Sequence, residues 1–344
     1  MFKKSFFSAL RVFFTAVLII TFVLFLIGCT PRSNDYKGDE IRGFMGGIKG
    51  LAVTIMDGAP PSVILDEGVS PFSFIVTLEN AGEAPVGPGT DNPLILVRLA
   101  GIVHKNFGLT QEEAIKTVGD SLDPTKRNFD GTPLPGGITY VAFDNLAYKA
   151  SVADSLALTM RAEVCYDYES LATTKFCMKR DVLESWEDAS ICTLIGPKPV
   201  GNAGAPLHIT RVEEAPINNK TVQLNFVIEH LGNGVFFYRN QYNSLFDVCV
   251  FDELDPNIYK LEVFVEPVQK NAYDIKCLRL DNKLDGGGVS GTVRMFEGAP
   301  LTISCFLTKT KEIGSRVYQD LLNIRLRYRY GEFIEAPILI QSHP

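Results

Sequence analysis

Over much of the chain, apolar residues recur at every second position in short runs that end in Gly, Pro, Asn or Asp. Phe72, Phe74, Val76 and Leu78 alternate with Ser73 and Thr77, and Val222, Leu224, Phe226 and Ile228 alternate with Gln223 and Asn225. Successive strand side chains point to opposite faces, so each run predicts a half-buried β-strand. The same pattern predicts strands at 51–55, 94–99, 138–143, 160–168, 207–211, 259–265, 301–307 and 322–330. One segment departs from it. Thr110-Gln111-Glu112-Glu113 has the form of a capping box and predicts a short helix through Thr117, while the Asp-, Pro- and Gly-rich stretch 120–137 predicts irregular chain.

The pattern occurs twice. Leu51-Ala52-Val53-Thr54-Ile55 leading to Ala59-Pro60 matches Leu207-His208-Ile209-Thr210-Arg211 leading to Ala215-Pro216, 156 residues later. The strand ending in Glu79-Asn80-Ala81-Gly82 matches the one ending in Glu229-His230-Leu231-Gly232 at an offset of 150, and Tyr166-x-Tyr168 matches Tyr328-x-Tyr330 at 162. Constant order with small offset changes points to an internal duplication whose differences lie in loops. The Gly- and Pro-rich stretch 196–206 separates the copies. The predicted organisation is an all-β chain with two tandem antiparallel β-sandwiches of immunoglobulin-like character, 48–195 and 207–344, the first carrying the short helix in a long loop.

The N-terminus has another character. A basic start with Lys3, Lys4 and Arg11 precedes an uncharged apolar stretch from Val12 to Ile27, which is export-signal grammar. Leu26-Ile27-Gly28-Cys29 resembles the lipobox of prokaryotic lipoproteins. That resemblance implies cleavage after residue 28 and a diacylglyceryl group on Cys29. The alternative is an uncleaved signal anchor, a hydrophobic helix of 1–28 with Cys29 an incidental thiol. Either way residues 29–47 read as a polar tether and the body is expected on the extracytoplasmic face of the cell membrane.

Each copy opens with an apolar strand, Ala-Pro and a second strand ending in Glu-x-x-Gly. This resembles the tandem adhesion-related immunoglobulin-like domains of archaeal and bacterial surface proteins, in which the second strand ends in Asn-x-Gly. Asn80-Ala81-Gly82 keeps that phrase, and His230-Leu231-Gly232 departs from it. The resemblance implies surface display or binding.

The 344 residues carry 33 basic and 40 acidic side chains, a formal charge of -7, which disfavours generic binding to nucleic acid. Apart from Cys29 there are six cysteines, an even number that suits disulfides in an exported protein. Cys165 and Cys177 flank an expected hairpin turn over 169–174, and Cys277 and Cys305 flank the Gly286-Gly287-Gly288 turn, so these are the preferred pairs. Cys192 and Cys249 are left to bridge the copies or remain buried thiols.

No zinc helix, nucleophile elbow or phosphate loop is present in the sequence. No metal or cofactor is expected. His104, His208, His230 and His343 are scattered, and the acidic clusters 252–255 and 184–188 lack the spacing of a calcium loop. Phe236, Phe237 and Tyr238 follow a Gly-Asn-Gly turn. They form either an aromatic binding loop or the start of a strand with the phenylalanines in the core. Asn219-Lys220-Thr221 has the form of a glycan acceptor. The expected function is a membrane-anchored, non-catalytic surface protein that binds another envelope protein or a polysaccharide. The alternatives are an accessory subunit of an envelope secretion or transport complex, and an enzyme using carboxylates near the 120–137 loop on glycans.

Overall fold

The computed structural model describes residues 43–185, 190–251, 255–311 and 316–343. The signal or anchor segment, Cys29 and the tether as far as residue 42 lie outside the described residues, as do parts of both acidic clusters. The described chain is all-β, with three short 3-10 turns. Among the described residues no helix is long and apolar enough to cross a membrane.

The first half contributes β1 Leu51–Ile55, β2 Val63–Leu65, β3 Phe72–Asn80, β4 Ile95–Ala100, β5 Ile115–Thr117, β6 Lys126–Arg127, β7 Pro133–Leu134, β8 Ile138–Leu146 and β9 Ser155–Lys179. Two short strands, β10 Gly196–Lys198 and β11 Val200–Asn202, occupy the Gly/Pro stretch between the copies. The second half contributes β12 Leu207–Asn218, β13 Thr221–His230, β14 Val235–Phe237, β15 Lys260–Pro267 and β16 Tyr273–Cys277. It ends with β17 Asn282–Lys283, β18 Val289–Arg294, β19 Leu301–Lys309 and β20 Val317–Gln341. Two smaller sheets, β1-β3-β8 and β10-β12-β13-β19-β16, share one hydrophobic core with a ten-stranded sheet, β17-β18-β15-β20-β9-β4-β5 with β2, β11 and β14 alongside.

The alternation seen in the sequence sets the layers. Phe74, Val76 and Leu78 on β3, Leu224, Phe226 and Ile228 on β13, and Met160 through Tyr168 at even positions on β9 are buried on facing inner surfaces. The large sheet runs through both copies. Its centre is the antiparallel pair β9–β20, in unbroken register over 25 residues, from Lys179 opposite Val317 to Ser155 opposite Gln341. At about 3.3 Å per residue these strands are about 80 Å long.

Six strands of each copy correspond around that pair. β4 lies beside β9 as β15 lies beside β20, β5 beside β4 as β18 beside β15, and β1-β3-β8 repeats as β12-β13-β19. The β9–β20 register places Tyr166 opposite Tyr330 and Tyr168 opposite Tyr328. Since Tyr166 corresponds to Tyr328 and Tyr168 to Tyr330, the register exchanges the copies, as a local two-fold axis would. The exchange centre falls between Asp167 and Arg329, themselves equivalent positions.

Three local expectations are corrected. Thr110 and Glu113 form both capping-box bonds, Glu113 N to Thr110 Oγ1 at 3.2 Å and Thr110 N to Glu113 Oε2 at 2.8 Å, but no helix follows. The chain makes a single turn and Ile115–Thr117 enters the sheet beside β4, because Ala114 is wholly buried and its carbonyl accepts from Leu99 N. The 120–137 stretch carries the β6–β7 hairpin. The expected turn at 169–174 is absent, since β9 continues straight through it.

Candidate functional site

Each copy carries the same tyrosine-centred corner. In the first, Tyr168 donates its hydroxyl to Asn80 Oδ1 at 3.3 Å and accepts from Ala84 N at 3.3 Å. In the second, the Tyr330 hydroxyl meets His230 Nε2 at 3.0 Å and accepts from Gly234 N at 2.7 Å. Ala81 N and Gly82 N donate to Gly50 O as Leu231 N and Gly232 N donate to Pro206 O. Only glycine fits at the bend. A Cβ on Gly82 would stand 2.0 Å from the Tyr168 hydroxyl oxygen, and one on Gly232 would stand 2.2 Å from that of Tyr330.

The outer face of the large sheet is a ladder of opposite charges. Arg329 Nε donates to Asp167 Oδ1 at 3.0 Å, with both side chains 5% exposed, and Arg239 stands 3.7 Å from the same carboxylate. Directly opposed pairs Arg327–Glu169 (2.7 Å), Arg98–Glu163 (3.1 Å) and Arg161–Glu335 (2.6 Å) flank it. The chain after β14 folds over this face. Arg98 Nη2 donates to the carbonyls of Leu245, Phe246 and Val248, and the Cys165–Cys249 disulfide fastens the segment to β9. Leu94, Leu96, Phe237, Val248 and Ile258 form a small second core beneath it.

Beside the corners, a cleft of about 40 Å³ is lined by Lys49, Leu51, Tyr166, Asn233, Tyr330 and Glu332. It has room for a few water molecules. Burial pushes the Glu332 carboxyl up to about 7, while the Tyr166 hydroxyl at 3.4 Å and the Lys49 ammonium act the other way. Glu332 therefore keeps its proton to higher pH than a solvated carboxylate does.

A larger groove, about 530 Å³, lies at the far end of β9. Its floor is Phe107 and Tyr148, and its walls are Ile102, Val103, Leu156 and Leu158, with Asn106 the one amide and no carboxylate or cation in the lining. Asp66 accepts from Val152 N at 2.7 Å and His343 N at 2.6 Å, fixing the chain that enters β9. Those two bonds hold its carboxyl below the usual range.

The residues singled out in the sequence are dispersed. Cys277 and Cys305 are bonded, as expected. The pairing of Cys165 with Cys177 is corrected, because both lie on β9, twelve residues and therefore about 40 Å apart along one strand, beyond disulfide reach. Cys165 bonds Cys249 and Cys177 bonds Cys192. The aromatic binding loop is also corrected. Phe236 and Phe237 are 0% and 2% exposed within β14, their rings packed edge-on against His230, Tyr259 and Tyr328 or against Phe251, and Tyr238 is half-buried. Asn219 is exposed in the turn between β12 and β13.

The histidines are separate. His104 Nε2 bonds Leu99 O at 2.8 Å, His208 Nε2 bonds Gly47 O at 3.0 Å, and burial lowers the pKa of both His208 and His230. Among the described residues no three His, Cys, Asp or Glu side chains are placed to hold a metal. Sequence reasoning passed over Asp167, Arg329 and Glu332. Their one signal was position, directly between or just after the repeated tyrosines.

No protein-family model matches the sequence, and no curated protein matches it.

Proposed function

We propose that the protein is an exported, membrane-anchored binding or display protein without a catalytic centre, built from two immunoglobulin-like sandwiches fused across a common sheet. The observation that carries this reading is the set of three disulfides, all six cysteines buried, which suits an oxidising compartment outside the cytoplasm. The export-type N-terminus in the sequence agrees. The repeated tyrosine corner supports the immunoglobulin-like kinship, since a tyrosine hydroxyl bonded back to a nearby strand end is a habit of that architecture. A binding role is favoured over glycan hydrolysis because the titratable cleft is lined by one carboxylate where that chemistry uses two, and the roomy groove is apolar.

Non-reducing peptide mass spectrometry on protein from native membranes tests the reading. It expects a lipid-modified N-terminal Cys29 or a retained anchor, three linked cysteine pairs and glycan occupancy at Asn219 where the host glycosylates. Six free thiols would overturn the exported location.

A further inference from the structure

The apolar groove lies against an unfinished edge of the central sheet. β4 follows β9 only as far as Ala100 opposite Arg161, and then Gly101, with φ of 78°, turns the chain away into the 3-10 turn His104–Phe107. β9 begins six residues earlier, at Ser155, so its first stretch has β20 on one side and, among the described residues, no strand on the other.

The direction of the open groups follows from the ladder. Asp167 N donates to Leu94 O, and Ser342 N donates to Asp154 O. Backbone groups alternate sides along an antiparallel strand, so odd-numbered residues of β9 face the β4 side and even-numbered ones face β20. The N–H and C=O of Ala157 and the N–H of Thr159 therefore point into the track that β4 vacates, and Ala157 and Thr159 are exposed. On the opposite flank of the same sheet end, β20 is covered by β2, paired from Val63–Leu339 to Leu65–Gln341. The chain thus completes one flank of this end with its own strand, and among the described residues no strand pairs with the other.

We propose that this edge is a docking site for an extended, uncharged segment of a partner protein, which adds as a strand beside Ser155–Thr159 and places alternate apolar side chains between Val103 and Leu158, over Phe107. The occupant is polypeptide because the groove offers backbone donors and acceptors at strand spacing, which only another backbone matches in register. It is apolar on one face because the floor and walls are aliphatic and aromatic, and uncharged because no ionic side chain in the lining pairs with a charge. The volume suits two or three side chains. This inference deepens the proposed binding role and rests on it.

The test is selection of random twelve-residue peptides, displayed on phage, against the purified full chain in detergent, followed by hydrogen exchange with the selected peptides. Enriched sequences are expected to carry an apolar residue at every second position and to slow exchange at Ala157 and Thr159 at least tenfold. Ala157→Pro removes the open N–H without touching the β20 ladder, and Val103→Asp charges an exposed wall. Each is expected to weaken binding at least tenfold with an unchanged melting temperature. Enrichment failing altogether, or binding indifferent to both variants, overturns the proposal. So does protection of Ala157 that rises with protein concentration in the absence of peptide, since the occupant is then a second copy. The assay uses purified protein, so its failure leaves the exported location untouched, and free thiols in native membranes leave the groove untouched.

Discussion

Asp167 and Arg329 are the same position in two copies of one pattern, and they are bonded to each other at 3.0 Å where the copies exchange. In a symmetric pair of identical chains this position would face itself, acid against acid or base against base. Fusion into one chain allows the two copies to diverge to opposite charges. Both side chains are nearly inaccessible, so removing one leaves the other charged in a poorly solvated place.

Asp167→Asn is therefore expected to destabilise the protein by about 3 kcal/mol, since Arg329 and the nearby Arg239 both lose their counter-charge. The double variant Asp167→Asn/Arg329→Gln should recover part of that loss. Urea unfolding of the single and double variants decides it, and a single-variant cost below about 1 kcal/mol would show the pair to be solvated.

The tyrosine corners give a test of coupling. Gly232→Ala is expected to be strongly destabilising because its Cβ would lie 2.2 Å from the Tyr330 hydroxyl oxygen. Tyr330→Phe should cost about 1–2 kcal/mol by stranding Gly234 N. Combined, they should cost less than their sum, because removal of the hydroxyl relieves the closest contact and leaves that with Pro206 Cβ at 2.9 Å. Additive costs in a double-mutant cycle would mean that the bend fails for another reason.

Glu332 predicts a pH dependence with a definite sign. Its folded carboxyl titrates near 7 against an ordinary 4.5, so the folded state holds the proton more tightly than the unfolded one. That contribution is fully present below about pH 4.5 and is lost as pH rises to about 7. Stability should fall by about 3 kcal/mol across this window, and Glu332→Gln should flatten the slope. Glu214 acts in the same direction, because burial pushes its carboxyl to about 7 against Lys198 and the Cys177 N–H, so some slope should survive. Melting curves at pH 5, 6, 7 and 8 read both effects.

Replacing Cys165 and Cys249 together by alanine is expected to cost about 4 kcal/mol, since this bridge closes the longest loop, with a sequence separation of 84. Loss of Cys177–Cys192, with a separation of 15, should cost about 3 kcal/mol. The first variant should also expose Phe237 and Val248, read as new dye binding, and the second should not. Equal dye binding by both would mean that the staple does not hold the overlying segment.

Alternation made most strands legible, because one face of nearly every strand is buried and the other is wet. It failed on β9. There Ser170, Ala172 and Thr174 occupy the buried face, and short or polar residues at inward positions read as a turn. Their reason is side-chain bonding to neighbouring strands of the same sheet, with Ser170 Oγ bonded to the Tyr328 hydroxyl on β20 at 2.7 Å and Thr174 Oγ1 to Pro199 O, next to β11, at 2.9 Å. The wrong disulfide followed from the wrong turn. Phe236 and Phe237 misled for the opposite reason: a turn signal marks where a strand begins but says nothing of which face its first rings take. The open edge at Ala157 was illegible, since what matters there is where a neighbouring strand stops, and no local pattern carries that.

β20 follows every other strand in chain order yet lies in the interior of the large sheet, with β15 on one side and β9 on the other. Its partners on β9 are 138 to 186 residues earlier, from Lys179–Val317 to Ser155–Gln341. During synthesis both flanks of that sheet must wait, their ladders unsatisfied, for the strand that joins them. Folding of this chain is thus a race between late closure and premature pairing with a neighbour, and a chaperone that shields β9 and β15 until residue 341 emerges would decide its yield.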